Sequence, residues 1–266
     1  MLISVRHETR YRFEEDTRYS IQRLRLTPPS FEGQSVKRWG IEARGMKDAL
    51  AYRDAFGNLT HVLTRNDLHR DVTIVAAGEV ETQDRAGVIL NRAGSVPDVL
   101  FLRETNATRA DDAIRGLAAA VQALKGLDLL HALANSVRDR IDYVIGATHA
   151  HTTAAEAVSE GRGVCQDHAH VFIAAARALH IPARYVSGYL VVADGEPAEA
   201  SHGWAEALVP DLGWVGFDVA NRICPTDRYV RLAIGLDAHG AAPVTGIRRG
   251  GSSEEMTVSV DVGPAQ

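Results

Sequence analysis

The chain has 266 residues, 45% of them hydrophobic and 24% charged, with a formal net charge of −5. That balance suits a globular chain able to bury a sizeable core, in one large domain or two modest ones. The mild, interspersed charge gives no reason to expect nucleic acid or an anionic membrane as partner, and with only two cysteines, Cys165 and Cys224, neither a disulfide framework nor a four-thiolate zinc site is expected.

The N-terminus, Met1 to Phe13, alternates apolar and charged residues and lacks an apolar core of signal-peptide length. No stretch approaches the roughly 20 apolar residues of a membrane span, so a cytoplasmic location is expected. Residues 1–105 read as β-rich. Ile3, Val5, His7, Tyr11 and Phe13 keep a period of two; Leu24 and Leu26 share a face before Pro28-Pro29; Trp39, Ile41 and Ala43 alternate again. Asp54 to Asn58 is a turn between two short strands, and Leu68 to Val80 is a further strand, a pattern that suggests a small antiparallel sandwich.

The pattern changes near residue 107. Ala107 to Lys125 has helical spacing, and Asp128 to Tyr143 carries the stripe Leu129, Leu133, Val137, Ile141 of a core-facing helix. Thr152-Thr153 offers a cap for a short helix over 154–159. A third long helix starts at Cys165 and stops at Pro182. Strands are expected over 183–192, 202–209, 214–219 and 255–262, with a turn at Asp194-Gly195-Glu196 and a loop over 248–253. The division is thus a β-rich domain over 1–105 and an α+β domain over 106–266.

The segment from Gly161 to Asp167 carries the chemistry. Glycines permit a tight entry into the helix and put Cys165 in its first turn. Unpaired backbone N–H groups there favour a thiolate and can also hydrogen-bond an oxyanion. A thiol also needs a proton acceptor. His202 starts one strand and Asp218 ends the next, and the short turn over 210–213 makes the two strands antiparallel neighbours. His202 and Asp218 then meet, the carboxylate orienting the imidazole as in other nucleophile–base–orienter triads.

A Gly-x-Cys helix start, then His-x-Trp at a strand start, then Asp after a Gly-Trp-x-x-Phe strand resembles the transglutaminase-like superfamily. The bacterial branch is the nearer match. Thr152 to Glu156, Gly161 to Gln166, Ile181 to Tyr189 and Trp214 to Asp218 look like its motifs, and Phe56-Gly57-Asn58 resembles the β-rich region that precedes its core. The resemblance covers nearly the whole chain. It implies a papain-like α+β transglutaminase core and acyl transfer from a peptide or protein amide, with Cys165 as nucleophile, His202 as base and Asp218 as orienter. Members either hydrolyse peptide or isopeptide bonds or pass the acyl group to an amine. Three positions depart from the usual pattern: His168 in place of an aromatic, Gly203 in place of a commoner alanine, and Val219 where proline is frequent.

Several residues have second roles to weigh. Gln166 supplies a backbone N–H beside the nucleophile, and Trp204 walls the imidazole from water. Tyr143 is either a wall of the site, an oxyanion donor or, the reading favoured by its sequence context, a core residue. Asp167 suits a first helical turn whatever the chemistry. Arg162 and Arg248-Arg249 belong on solvated loops, and Cys224 is structural. His149, His151, His168 and His170 lie close in sequence, but His168 and His170 are two apart and cannot share one helix face, so no metal is expected. The triad chemistry needs no cofactor. Hydrolysis of a peptide-like amide is the first reading; amine transfer, a non-catalytic scaffold and a histidine metalloenzyme are the alternatives.

Overall fold

The computed structural model describes residues 1–89, 96–192, 201–250 and 253–265. In chain order the strands are β1 (Leu2–Thr17), β2 (Tyr19–Leu24), β3 (Gln34–Ala43), β4 (Leu50–Arg53), β5 (Leu59–Arg65), β6 (His69–Thr82) and β7 (Val88–Ile89). Helices α1 (Asp112–Val121) and α2 (Gly126–Arg140) follow, then β8 (Asp142–Tyr143), α3 (Ala154–Glu160), β9 (Arg162–Gly163) and α4 (Cys165–Ala178). The chain ends with β10 (Ala183–Leu190), β11 (His202–Val209), β12 (Gly213–Phe217), β13 (Tyr229–Gly235), β14 (Val244–Arg249) and β15 (Glu254–Pro264). The turn expected at Asp194-Gly195-Glu196 lies outside the described residues, as do Gly251 and Ser252 of the expected loop.

Along β1, residues 3, 5, 7, 9, 11 and 13 are the more buried of each pair, as a pleated strand with one covered face requires. This strand sits in an antiparallel sheet of order β15-β1-β6-β3, and a second sheet has the order β14-β2-β5-β4. Ile3, Val5, Phe13, Leu24, Leu63, Ile74 and Val80 fill one shared core. Two of its strands come from the far end of the chain: β14 pairs with β2 and β15 with β1. The division at residue 105 therefore does not follow the sheets. Arg248 and Arg249, expected in a solvated loop, end β14 instead. Arg248 lies over the Phe13 ring at 5.3 Å and hydrogen-bonds Glu254 at 2.8 Å.

The second unit is a five-stranded antiparallel sheet, β13-β10-β11-β12-β7, crossed by α4 with α1, α2 and α3 around it. Helix α1 begins at Asp112, later than the Ala/Leu-rich spacing suggests, because Asp111 accepts the Ile114 N–H at 2.9 Å and caps it there. Helix α2 stops at Arg140, short of the expected Tyr143. The N–H groups of Asp142 and Val144 bond to the carbonyls of Gly161 and Gly163, which draws the chain into a parallel pairing with β9. Thr153 and Glu156 form a capping box at the start of α3.

Strand β13 is an edge of this sheet, and edge strands need their backbone groups covered. Two side-chain amides do it. Gln34 accepts from the Arg231 N–H at 2.7 Å and donates to the Arg231 carbonyl at 2.9 Å, while Asn58 makes the same two-way pairing with Ile234, both bonds at 2.9 Å. Asn58 is itself held by Asp54, which also takes Arg25 in an ion pair at 2.8 Å. Tyr189, Val230 and Leu232 of the five-stranded sheet enter the core of the β-rich layers. No helix among the described residues is long and apolar enough to cross a membrane.

Candidate active site

Gly161 closes α3 in the left-handed conformation, with φ at 68°, and so turns the chain sharply towards α4. Val164 is the N-cap and Cys165 the first helical residue. The Asp167 carboxylate reaches back to the Val164 N–H at 2.8 Å and accepts the Thr148 hydroxyl at 2.6 Å, so it fastens the helix start. The N–H groups of Cys165 and Gln166 make no hydrogen bond among the described residues.

Strands β11 and β12 form the expected hairpin, with Ala205 opposite Phe217 and Val209 opposite Gly213. It brings the imidazole of His202 onto Asp218: Nε2 to Oδ2 is 2.7 Å. A carboxylate only accepts, so Nε2 carries the proton of this bond and Nδ1 is the nitrogen left over. Burial opposes charge on the His202 ring, but hydrogen bonds and charge from Asp218 and Cys165 outweigh it and push its pKa up to about 10. Trp204 stacks on the His202 ring at 6.2 Å and is 3% exposed, so it both packs and shields the imidazole.

Asp218 is 1% exposed and well furnished with donors. Besides His202 it accepts the Tyr229 hydroxyl at 2.7 Å, the Asn221 side-chain N–H at 2.7 Å and the Asn221 backbone N–H at 3.2 Å. Burial works against its charge, but these bonds hold the carboxyl below its ordinary range. Sequence reasoning missed both supports. Asn221 carries the local signal of an Asp turn, which could have found it. Tyr229 carries none, because it arrives from β13.

The remaining sequence candidates divide. Tyr143 is not a core residue. It is 43% exposed, its ring stacks on His168 at 6.1 Å, burial first and then Cys165 and Asp218 push its phenol up, and it pairs with Gly163, two residues before Cys165. The residues after it, Val144 and Ile145, are 42% and 85% exposed and extend an apolar edge from that point. The Gln166 side chain turns to the Ala150 carbonyl at 3.4 Å.

His168 is fully buried, with its nitrogens on the carbonyls of Val164 at 2.8 Å and Ile141 at 3.0 Å, tying α4 to the end of α2 where an aromatic was expected. His170 accepts the Ala238 N–H at 3.0 Å, and burial lowers its pKa to about 4. These two histidines therefore serve packing. His149 and His151 lie 6.4 Å apart, in the loop before α3. Among the described residues no group of three or more His, Cys, Asp or Glu side chains is arranged to hold a metal ion. Arg162 is solvated beside Glu160, and Cys224 is half-buried against the core, where burial pushes its thiol up. Val219, in place of a frequent proline, is buried in the same core.

Comparison with known proteins identifies the family and the fold. The model of the transglutaminase-like superfamily matches residues 115–219, and that of the bacterial transglutaminase-like N-terminal region matches residues 3–81. An uncharacterised protein of Mycobacterium tuberculosis is 30% identical over 290 residues, covering 98% of this chain and 92% of that protein. One of Mycobacterium leprae is 28% identical over 276 residues, covering 96% of each. A solved structure from Cytophaga hutchinsonii, described as a candidate cysteine protease, shares the fold with a TM-score of 0.79 at 20% identity, over all of this chain and 91% of that one. The chain belongs to the transglutaminase-like superfamily, and to its bacterial branch with the β-rich N-terminal region.

Proposed function

We propose that this protein is a thiol-dependent acyl-transfer enzyme that hydrolyses peptide-like amide or isopeptide bonds through Cys165, His202 and Asp218. The observation that carries the reading is the imidazole of His202, bound to Asp218 through Nε2 at 2.7 Å and held protonated by Asp218 and Cys165 together. The proton of Cys165 already rests on His202 Nδ1, and the thiolate sulfur bonds to the carbonyl carbon of the amide. The carbonyl π pair moves to oxygen, where the N–H groups of Cys165 and Gln166 receive it. As the oxyanion collapses, the C–N bond breaks and His202 gives its proton to the departing amine, leaving a thioester. Water, deprotonated by His202, then attacks the thioester and releases the acid and the thiol.

Hydrolysis is favoured over amine transfer because cross-linking needs a site closed to water. Tyr143, Val144 and Ile145 leave this one with an exposed apolar edge. Such an edge suits an extended peptide with apolar side chains. The test is mass spectrometry of a peptide library incubated with and without a primary amine. Cleaved or deamidated products that vanish with Cys165→Ala are expected. Amine adducts as the main product would reassign the second step, and products that persist with Cys165→Ala would refute the reading.

A further inference from the structure

Tyr229, whose hydroxyl reaches Asp218, is carried by β13, and the β-rich layers grip the chain at positions 227 and 231, on either side of it. Before it, the Thr82 hydroxyl donates to the Asp227 carbonyl. After it, Gln34 accepts the Arg231 N–H at 2.7 Å and donates to the Arg231 carbonyl at 2.9 Å. The Gln34 amide nitrogen also donates to the Pro29 carbonyl at 2.7 Å, so its oxygen and both its hydrogens are engaged. Gln34 and Thr82 are cross-strand partners where β3 starts and β6 ends, and each is 3% exposed, so they act on β13 as one clamp. A cavity of about 470 Å³, counting its open mouth, lies between the layers at this point, with Phe31, Gln34, Thr82, Trp204, Tyr229 and Arg231 in its walls. Packing is incomplete there, and the hydrogen bonds set where the strand stands. The Tyr229 ring meets Trp204 edge-on at 5.4 Å, and its hydroxyl donates at 2.7 Å to Asp218 Oδ2, the same oxygen that takes His202 Nε2 at 2.7 Å. A shift of the backbone at Tyr229 is therefore felt on the oxygen that orients the imidazole.

We propose that Gln34 and Thr82 are positioning residues for the reaction: by gripping β13 on both sides of Tyr229 they hold its hydroxyl on the Asp218 oxygen that orients His202. The proposal rests on the acyl-transfer reading of Cys165. It gives the β-rich N-terminal region a part in the site, through a strand edge rather than through any group that touches substrate.

The experiment compares the full chain with Gln34→Leu, which keeps the bulk and removes the amide, and with Thr82→Val, which removes the hydroxyl. Iodoacetamide alkylation as a function of pH reads the thiolate, and the burst of p-nitrophenolate from p-nitrophenyl acetate reads acylation, both well below each variant's unfolding midpoint. Each variant is expected to slow the burst by about threefold to tenfold. Each should also move the alkylation profile to higher pH, because a looser Asp218 supports the imidazolium, and through it the thiolate, less well. Thr82→Ser, which keeps the hydroxyl, should restore the parent profile. Tyr229→Phe should reproduce the shift, and Gln34→Leu added to it should change the burst no further, since the clamp acts through that hydroxyl. Asn58→Leu is the control: it removes the same two-way pairing further along β13, at Ile234, and should lower the unfolding midpoint while the profile stays in place. A Gln34→Leu burst within about twofold of the parent, or a shift that Asn58→Leu matches, overturns the proposal and leaves a clamp that serves folding alone. If Gln34→Leu does not fold, Thr82→Val against Thr82→Ser decides by the same criteria. A parent Cys165 that alkylates no faster than free cysteine at any pH is a different failure: it removes the acyl-transfer reading itself, and this inference with it.

Discussion

Two buried charge clusters hang from the same strand, and they differ in what they leave unsatisfied. Glu206, on β11, is fully buried and has both oxygens filled: Arg184 bonds one at 2.6 Å, and Arg231 bonds the pair at 2.8 and 3.1 Å. Burial alone would raise its carboxyl, but the two arginines bring it down to about 2. Arg184 in turn lies over the Trp214 ring at 3.8 Å. His202, at the start of the same strand, has one nitrogen held by Asp218 and the other left for a thiol. The first cluster is closed, so it can only tie β10, β11 and β13 of one sheet together. The second retains a valence for a moving proton. A buried ionic group thus becomes a candidate for chemistry through the bond it has not made, not through its burial.

That contrast can be broken in three ways. The largest effect is expected from Asp218→Asn, which leaves the shape of the site and removes the charge that orients His202. Turnover of a cleavable peptide should fall by about 10³–10⁴, as when the equivalent charge is removed from other triads, while the unfolding midpoint stays close to the parent's. Unchanged turnover would take Asp218 out of the mechanism. Glu206→Gln should do the reverse. Losing one partner of a buried ion cluster costs about 3–5 kcal/mol of stability, readable by urea denaturation, while iodoacetamide reactivity of the folded protein is retained. Equal loss of both would mean the clusters are not separable.

The smallest effect concerns the His202 titration. Its pKa is raised from 6.5 to about 10, so the folded state holds this proton more tightly than the unfolded chain does. The resulting stability is present in full below pH 6.5 and is lost progressively as pH rises towards about 10. Cys165→Ala removes one of the groups that raise it. The imidazole should therefore titrate at lower pH, as seen by NMR of the ring, and the alkaline end of the stabilised window should retreat. A His202 titration indifferent to Cys165→Ala would separate the two side chains.

Much of this was legible in the residues. Alternation along β1, β3 and β6, the helical stripe of α2 and the glycine-led start of α4 are local patterns, set by how one face of each element meets apolar neighbours. The hairpin of β11 and β12 is also local, so the meeting of His202 with Asp218 followed from a short turn. Strand β13 was not found. Nearly all of its residues are buried, whichever face of the sheet they point to, so YVRLAIG shows no alternation to read. Strand β14 was not found either: only its last two residues, Arg248 and Arg249, fall in the expected loop, and its pairing with β2 is decided by a partner far away in the chain.

What the sequence determined alone was the identity and order of the candidate groups, Cys165, His202 and Asp218, and the local elements that carry them. Those depend on contacts between near neighbours: a cap, a turn, a repeat of two or of about 3.6 residues. Only the tertiary structure decided that β15 returns to β1, that Gln34 and Asn58 cover the edge of β13, that Tyr229 steadies Asp218, and that the Tyr185 hydroxyl stands over Gly203. Each of these joins residues carried by different segments of the fold. Their selection rests on the fit of whole surfaces and the pairing of buried polar groups, which no local window contains.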